Sequence, residues 1–395
     1  MPSITEKDEE RIQSLCEGDL ARRPERIQSI AAGLGARRFY RLHFAEGSPE
    51  TLIARQDPEV GEESQAPPPP TLEATDSLIS THAIARLTPP TWRPEPALEP
   101  LRSFLEKAGL AVPRSFARSP EVGLEILEDV GGRTLLSAAG SERDALYEHA
   151  CGFVVALQSL AAPAEEIPAF GRIYDQSLLA SKLWKFEHWT IPGLLGREAT
   201  SEERNGLAEV FKSLWQVVGK APRRLAHRDF KAENLHWVER EAPARELVMI
   251  DVQGAFMAPP EYDLVCLLYD LQVDLDEDWV QSLAGRIRPQ LPDAPDEAIF
   301  RQRFDCLAIA RLAKDVSHVV EAGLIRGDLR RWSEIPRGLE LLSQAAGRQE
   351  HTFPCLRALT SVIPTLTEAA RSADSRRAEL ESGTKERLHP GQGAA

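Results

Sequence analysis

The hydrophobic pattern of this 395-residue chain changes period at Gly132, and that change constrains the fold more than any other feature. Before it, the apolar stretches are short and bounded by Gly, Pro and polar clusters. Ile27–Ala31, Phe39–Phe44 and Thr51–Ala54, then Val112–Phe116 and Gly123–Leu127, read as five strands. A short amphipathic helix is expected over Ala97–Ala108, where Leu98, Leu101, Phe104 and Leu105 share a face ahead of Gly109. Beyond Gly132 the spacing becomes helical. Glu142–Leu160 carries a stripe of Leu146, Ala150, Val154 and Leu157, and Thr200-Ser201-Glu202-Glu203 has capping-box spacing before the next helix. Further helices are expected over 262–271, 277–290, 296–323, 327–346 and 353–370. The expectation is an α+β chain with a small five-stranded antiparallel lobe and a larger, mainly helical one.

The organisation follows from this reading. A charged helical lead-in is expected over residues 1–24, a strand-rich lobe over 25–130, a helical lobe over 131–370, and a charged, then Gly-rich, disordered tail over 371–395. Residues 57–96, with four prolines at Pro67–Pro70, read as an insertion into the first lobe with little fixed structure. Net charge is −14, from 61 acidic against 47 basic residues, which argues against a nucleic-acid surface built on basic patches. Five widely spaced cysteines without a CxxC pair read as reduced thiols of a cytoplasmic protein. The first ten residues lack the basic start and apolar core of a signal peptide, and no apolar run approaches the roughly 18 residues of a membrane span. No obligate protein partner is evident from the sequence.

The chemistry is concentrated in His227-Arg228-Asp229-Phe230-Lys231-Ala232-Glu233-Asn234 and in Asp251, which follows the apolar run Leu247–Ile250. Phosphoryl transfer from a magnesium-nucleotide to an alcohol needs metal ions, a positioned hydroxyl and charge neutralisation more than covalent help. Asp229 fits the group that orients the attacking hydroxyl and takes its proton, and Lys231 a cation able to reach the moving phosphoryl group. Asn234 and Asp251 fit the metal ligands. Leu235–Val238 alternates, residues 239–246 form a charged turn, and Leu247–Val252 reads as a second strand. A hairpin at this place brings Asn234 beside Asp251.

The nucleotide side is written less sharply. Gly33 and Gly35 suit a turn that lays backbone N–H groups over phosphates, and equally an ordinary hairpin turn. Arg55 ends a strand where a kinase carries a phosphate-binding Lys. A solvated edge-strand Arg is an equal reading. Its expected helix partner is Glu99, with Glu106 as the alternative, and the backbone at Glu128 to Val130 is placed where adenine would meet the junction of the lobes. Glu187 and Trp189 are candidates for a sugar pocket, or equally a helix end packed on the core.

Together, Leu225–Leu235, Ile250-Asp251-Val252-Gln253-Gly254-Ala255 and Pro260-Glu261-Tyr262-Asp263-Leu264-Val265 resemble the aminoglycoside phosphotransferase-like kinases, and within them the bacterial N-acetylmuramate/N-acetylglucosamine 1-kinases. Arg37–Arg41, Leu127–Gly131, Tyr174–Leu179, Phe186–Trp189 and Ile335–Arg337 extend the resemblance over roughly residues 26 to 368. It implies a bilobal protein-kinase-like fold, ATP and Mg2+ as cofactors, and a sugar 1-kinase of cell-wall recycling. It also implies that Asp263, with His227, braces the catalytic loop. Val252 and Gly254 depart from the branch, which has Phe and Asp there. An aminoglycoside or other amino-alcohol acceptor, and a nucleotide-binding pseudokinase, are the alternatives.

Overall fold

The computed structural model describes residues 4–30, 37–58, 96–239 and 245–388. The Gly33 and Gly35 turn, most of the 57–96 insertion and residues 389–395 lie outside the described residues. In chain order the elements are α1 (Glu6–Leu20), β1 (Arg26–Ile30), β2 (Arg38–His43), β3 (Thr51–Gln56), α2 (Leu101–Lys107), β4 (Ser115–Ser119), β5 (Leu124–Glu128) and α3 (Gly140–Ser159). They continue with α4 (Pro168–Gly171), α5 (Gln176–Lys185), α6 (Ile191–Leu195), α7 (Ser201–Val218), β6 (Arg224–Ala226), β7 (Leu235–Glu239), β8 (Arg245–Met249) and β9 (Phe256–Ala258). The last are α8 (Tyr262–Leu268), α9 (Glu277–Ile287), α10 (Glu297–Arg326), α11 (Ile335–Gln349) and α12 (Arg357–Leu388).

The chain divides into two compact units. The first, built from Met1–Pro68, Leu98–Tyr147 and Glu233–Val252, contains the expected antiparallel sheet in the order β1-β2-β3-β5-β4. Period-two alternation puts Tyr40, Leu42, Leu52, Ala54, Leu124 and Ile126 on one face, where Ile12 and Cys16 of α1 pack against them. Thr5 starts α1 by accepting the Asp8 N–H at 3.1 Å. Asp8 is itself 1% exposed and accepts from Tyr40 Oη at 2.6 Å and Arg38 Nε at 2.8 Å. Burial opposes its charge, but the bonds from Tyr40 and Arg38 outweigh it and hold the carboxyl below its ordinary value. Asp8→Asn is therefore expected to cost about 2 kcal/mol, read as a lower urea midpoint at unchanged slope, because it removes two charge-assisted bonds from a buried acceptor.

The second unit, built from Pro69–Ala97, Glu148–Ala232 and Gln253–Ala395, is mainly helical among its described residues and carries the β6–β9 ribbon, in which Arg224 pairs with Ala258 and Ala226 with Phe256. Its spine is α10. Phe304, Leu307, Ile309, Leu312, Val316 and Val320 are buried along that helix, which Asp296 caps by accepting the Ala298 N–H at 2.9 Å and Gly327 closes at φ 67°. The Thr200–Glu203 capping box forms at the start of α7.

Several boundaries differ from the sequence reading, among them the start of α11, at Ile335 instead of residue 327. α2 begins at Leu101 rather than Ala97, because Pro100 fits the entry to a helix and not its interior. β4 lies three residues later than expected, after Pro113, which has no N–H to give a ladder. α12 runs on to Leu388, where a tail without structure was expected from residue 371. Its Ala, Glu, Arg, Lys and Leu are strong helix formers, so a polar composition there carries helix rather than disorder. Among the described residues no helix is long and apolar enough to cross a membrane.

Candidate active site

The loop carrying Asp229 leaves β6 and is fastened from beneath. Asp263, in the first turn of α8, accepts the backbone N–H of His227 at 2.6 Å and of Arg228 at 3.1 Å. Burial raises the Asp263 carboxyl to about 6 even against those two bonds. Asp270 does the same for the far end of the loop, accepting the Ala232 N–H at 2.9 Å. Phe230 is fully buried between them, and the His227 ring packs edge-on against it at 5.6 Å. The loop is thus held by its backbone, which leaves its charged side chains for chemistry.

Arg228 adopts φ 83°, a conformation that costs a non-Gly residue about 1 kcal/mol or more. Its carbonyl, turned by that geometry, accepts from Arg311 Nη1 at 3.0 Å and from Cys266 Sγ at 3.4 Å. Arg311 also reaches Asp229 Oδ1 through Nη2 at 3.3 Å and Asp315 Oδ2 through Nε at 2.7 Å. Lys314 stands 4.0 Å from Asp229 and 3.1 Å from Asp315. Burial works against the Asp229 charge, but Lys314, Arg311, Arg228 and Lys231 overcome it and hold the carboxyl well below the usual carboxylate range. The Asp229 side chain is 25% exposed, so it is not sealed from solvent.

Arg311, Lys314, Asp315 and His318 recur on one face of α10, within a stretch whose other residues are almost all apolar. α5 adds two more cations. Lys182 is buried and donates to Tyr262 Oη at 3.3 Å, and Lys185 donates to His318 Nε2 at 2.7 Å. Burial, then Lys314 and Arg228, push the Lys185 ammonium down to about 8. Sequence reasoning passed over this cluster. Its signal was the run of charged residues at helical spacing inside an apolar helix, far along the chain from the loop it serves.

Beyond α5 one turn of π-helix, Phe186–Thr190, carries Glu187 and Trp189. Trp189 is only 8% exposed, with its ring against Trp184 at 5.9 Å, His318 at 5.9 Å and the Lys185 ammonium at 5.3 Å. It packs on protein rather than offering a face to a sugar. Glu187 is more open and lies 3.9 Å from His188.

In the first unit the β7–β8 hairpin forms with Leu235 opposite Met249, and the Ile250 N–H donates to the Asn234 carbonyl at 3.0 Å. Asn234 and Asp251 therefore sit at the same end of it, Asn234 buried and Asp251 exposed at φ 62°. Both present oxygen donors. Among the described residues no group of three or more His, Cys, Asp or Glu is placed to hold a metal.

On β3 the Arg55 guanidinium is buried and paired with Asp57 at 2.8 Å and Glu125 at 3.1 Å. The strand register explains this, since Arg55 lies directly opposite Glu125 on β5. Neither Glu99 nor Glu106 is its partner. Both pair with Arg102, and Glu99 also accepts the Ser103 N–H at 3.1 Å, so it serves the start of α2. Glu128 pairs with Arg114, and Val130 is buried. Between them Asp129 is clasped by Arg41 Nε at 2.6 Å.

The sequence profile of the Phosphotransferase enzyme family matches residues 26–298. Two N-acetylmuramate/N-acetylglucosamine kinases are similar along much of their length. That of Pseudomonas aeruginosa is 27% identical over 289 residues, covering 70% of this chain and 81% of its own. That of Neisseria meningitidis is 27% identical over 264 residues, covering 64% and 75%. Among solved structures, ADP-bound aminoglycoside phosphotransferase APH(2'')-Ib superposes with a TM-score of 0.51 at 16% identity, over 86% of this chain and 97% of that one. The gentamicin complex of APH(2'')-IIa gives 0.51 at 15% identity, over 87% and 97%. At those identities the likeness is one of fold.

Proposed function

The chain belongs to the phosphotransferase enzyme family, and with kinase chemistry as the premise we propose that it moves the γ-phosphoryl group of ATP onto the anomeric hydroxyl of an N-acetyl amino sugar, N-acetylmuramate or N-acetylglucosamine. The observation that carries the reading is Asp229, an ionised, partly open carboxylate on a loop whose backbone is fastened at both ends. For the acceptor, the support is the name shared by the curated relatives.

In this mechanism the acceptor hydroxyl donates to Asp229 and is aimed at the γ-phosphorus. Its oxygen forms the new P–O bond as the bond to the β-phosphate oxygen breaks, ADP leaves, and the hydroxyl proton passes to Asp229. A carboxylate held so strongly ionised is a weak base, which suits a largely dissociative transition state where the proton moves late. Lys231 offsets charge on the transferring group. Asn234 and Asp251 would hold magnesium, since a carboxamide and a carboxylate leave room for phosphate oxygens and water. The bound metal would neutralise charge on the β- and γ-phosphates.

On this reading the protein works in the cytoplasm, where ATP is at hand, and recovery of cell-wall sugars is the role that fits. The test is a panel of hydroxylated acceptors with magnesium-ATP and the product phosphate located by NMR. An amino-sugar 1-phosphate is the expected product. Phosphate on another hydroxyl, or turnover of amine-bearing acceptors alone, overturns the assignment.

A further inference from the structure

The cations on α5 and α10 exceed what Asp229 and Asp315 can neutralise. Lys182, Lys185, Arg311 and Lys314 are packed into one side-chain cluster in a chain whose net charge is −14. Asp315 is engaged by Arg311 and Lys314, and Asp229 by the same two residues. Lys185 is left with neutral company. It donates to a ring nitrogen of His318, lies over the Trp189 ring at 5.3 Å, and pairs with no described carboxylate. Asp315 and Glu321 act on it only at longer range, without an ion pair.

A half-buried ammonium among neutral groups and other cations is poorly solvated, and an arriving anion relieves it with a charge-assisted hydrogen bond. Lys185 meets His318 at 2.7 Å, one turn along α10 from Lys314, and Lys314 stands 4.0 Å from Asp229, so the lysine pair borders the space in which Asp229 would receive a hydroxyl. Resting on the amino-sugar kinase reading, we propose that Lys185, with Lys314, forms a subsite for an acidic substituent of the acceptor, so that carboxylate-bearing sugars are taken in preference to their neutral counterparts. The same charges disfavour polycationic acceptors such as gentamicin, which the structurally similar APH(2'')-IIa binds. N-acetylmuramate differs from N-acetylglucosamine by a lactyl ether carrying the required carboxylate.

The test compares kcat/KM for two matched pairs, N-acetylmuramate against N-acetylglucosamine and glucuronate against glucose, in the wild type, Lys185→Met and Lys185→Arg. In the wild type the carboxylate-bearing member of a pair is expected to win. Lys185→Met is expected to lower that preference about 10- to 100-fold, through the KM of the acidic acceptor, and Lys185→Arg to retain most of it. An unchanged preference in Lys185→Met overturns the subsite. So does a rise in the KM for ATP alone, which assigns the cation to the nucleotide, and so does a wild type that favours no carboxylate-bearing sugar. If glucuronate is phosphorylated in a Lys185-dependent way while neither amino sugar reacts, the amino-sugar reading falls and the subsite stands.

Discussion

Asp229→Asn is expected to lower kcat/KM about a thousand-fold or more while leaving the fold and ATP binding near wild type. The side chain keeps its shape but loses the charge that orients the hydroxyl and the site that accepts its proton, and each contributes mainly in the transition state. The loop keeps its backbone ties to Asp263 and Asp270, and Arg311 keeps Asp315, so the loss is chemical rather than structural. Steady-state kinetics with the best acceptor, together with nucleotide titration and thermal melting, separate the two. Turnover within about tenfold of wild type removes Asp229 from the proposed role.

Arg311→Met is expected to cost about 3 kcal/mol or more of stability, the scale for breaking a buried ion pair from one side. One guanidinium ties the Asp229 loop to α10, bonding the Arg228 carbonyl at 3.0 Å, Asp229 at 3.3 Å and Asp315 at 2.7 Å. The effect depends on pH in a definite direction. Asp229 and Asp315 both titrate below their ordinary value of 3.8 in the folded protein, so the unfolded chain binds protons first as pH falls. Their stabilisation is therefore complete well above pH 3.8 and is lost as acid approaches the folded values. The gap between wild type and Arg311→Met should be widest at neutral pH and shrink below about pH 4, measured by urea unfolding at a series of pH values. Arg311→Lys, which keeps the charge without the fork, should fall between them. A gap independent of pH would mean that Arg311 acts through packing alone.

Features governed by neighbours along the chain were legible in the sequence. The alternation before Gly132 became the sheet, and the Asn234–Asp251 hairpin formed because both strands and their turn are contiguous. Features set by register or tertiary packing were not. Arg55 meets Glu125 because of how β3 aligns with β5, and a search for its partner on α2 looked in the wrong element. For Trp189 the sequence left a sugar pocket and a packed helix end equally open, and only the α5–α10 contact that buries it separates them. The charges of α10 meet the Asp229 loop only through the folded helical unit, across some eighty positions of sequence.

The family profile begins at residue 26, yet α1 lies wholly before it and supplies Ile12 and Cys16 to the covered face of the sheet. The stretch recognisable across relatives is therefore shorter than the stretch that can stand in water. A fragment trimmed to the recognisable part would bare Tyr40, Leu42, Leu52 and Ile126 as a sticky apolar plane, inviting self-association before any question of catalysis arose. For this chain a workable domain boundary belongs ahead of Thr5, the residue that starts the covering helix.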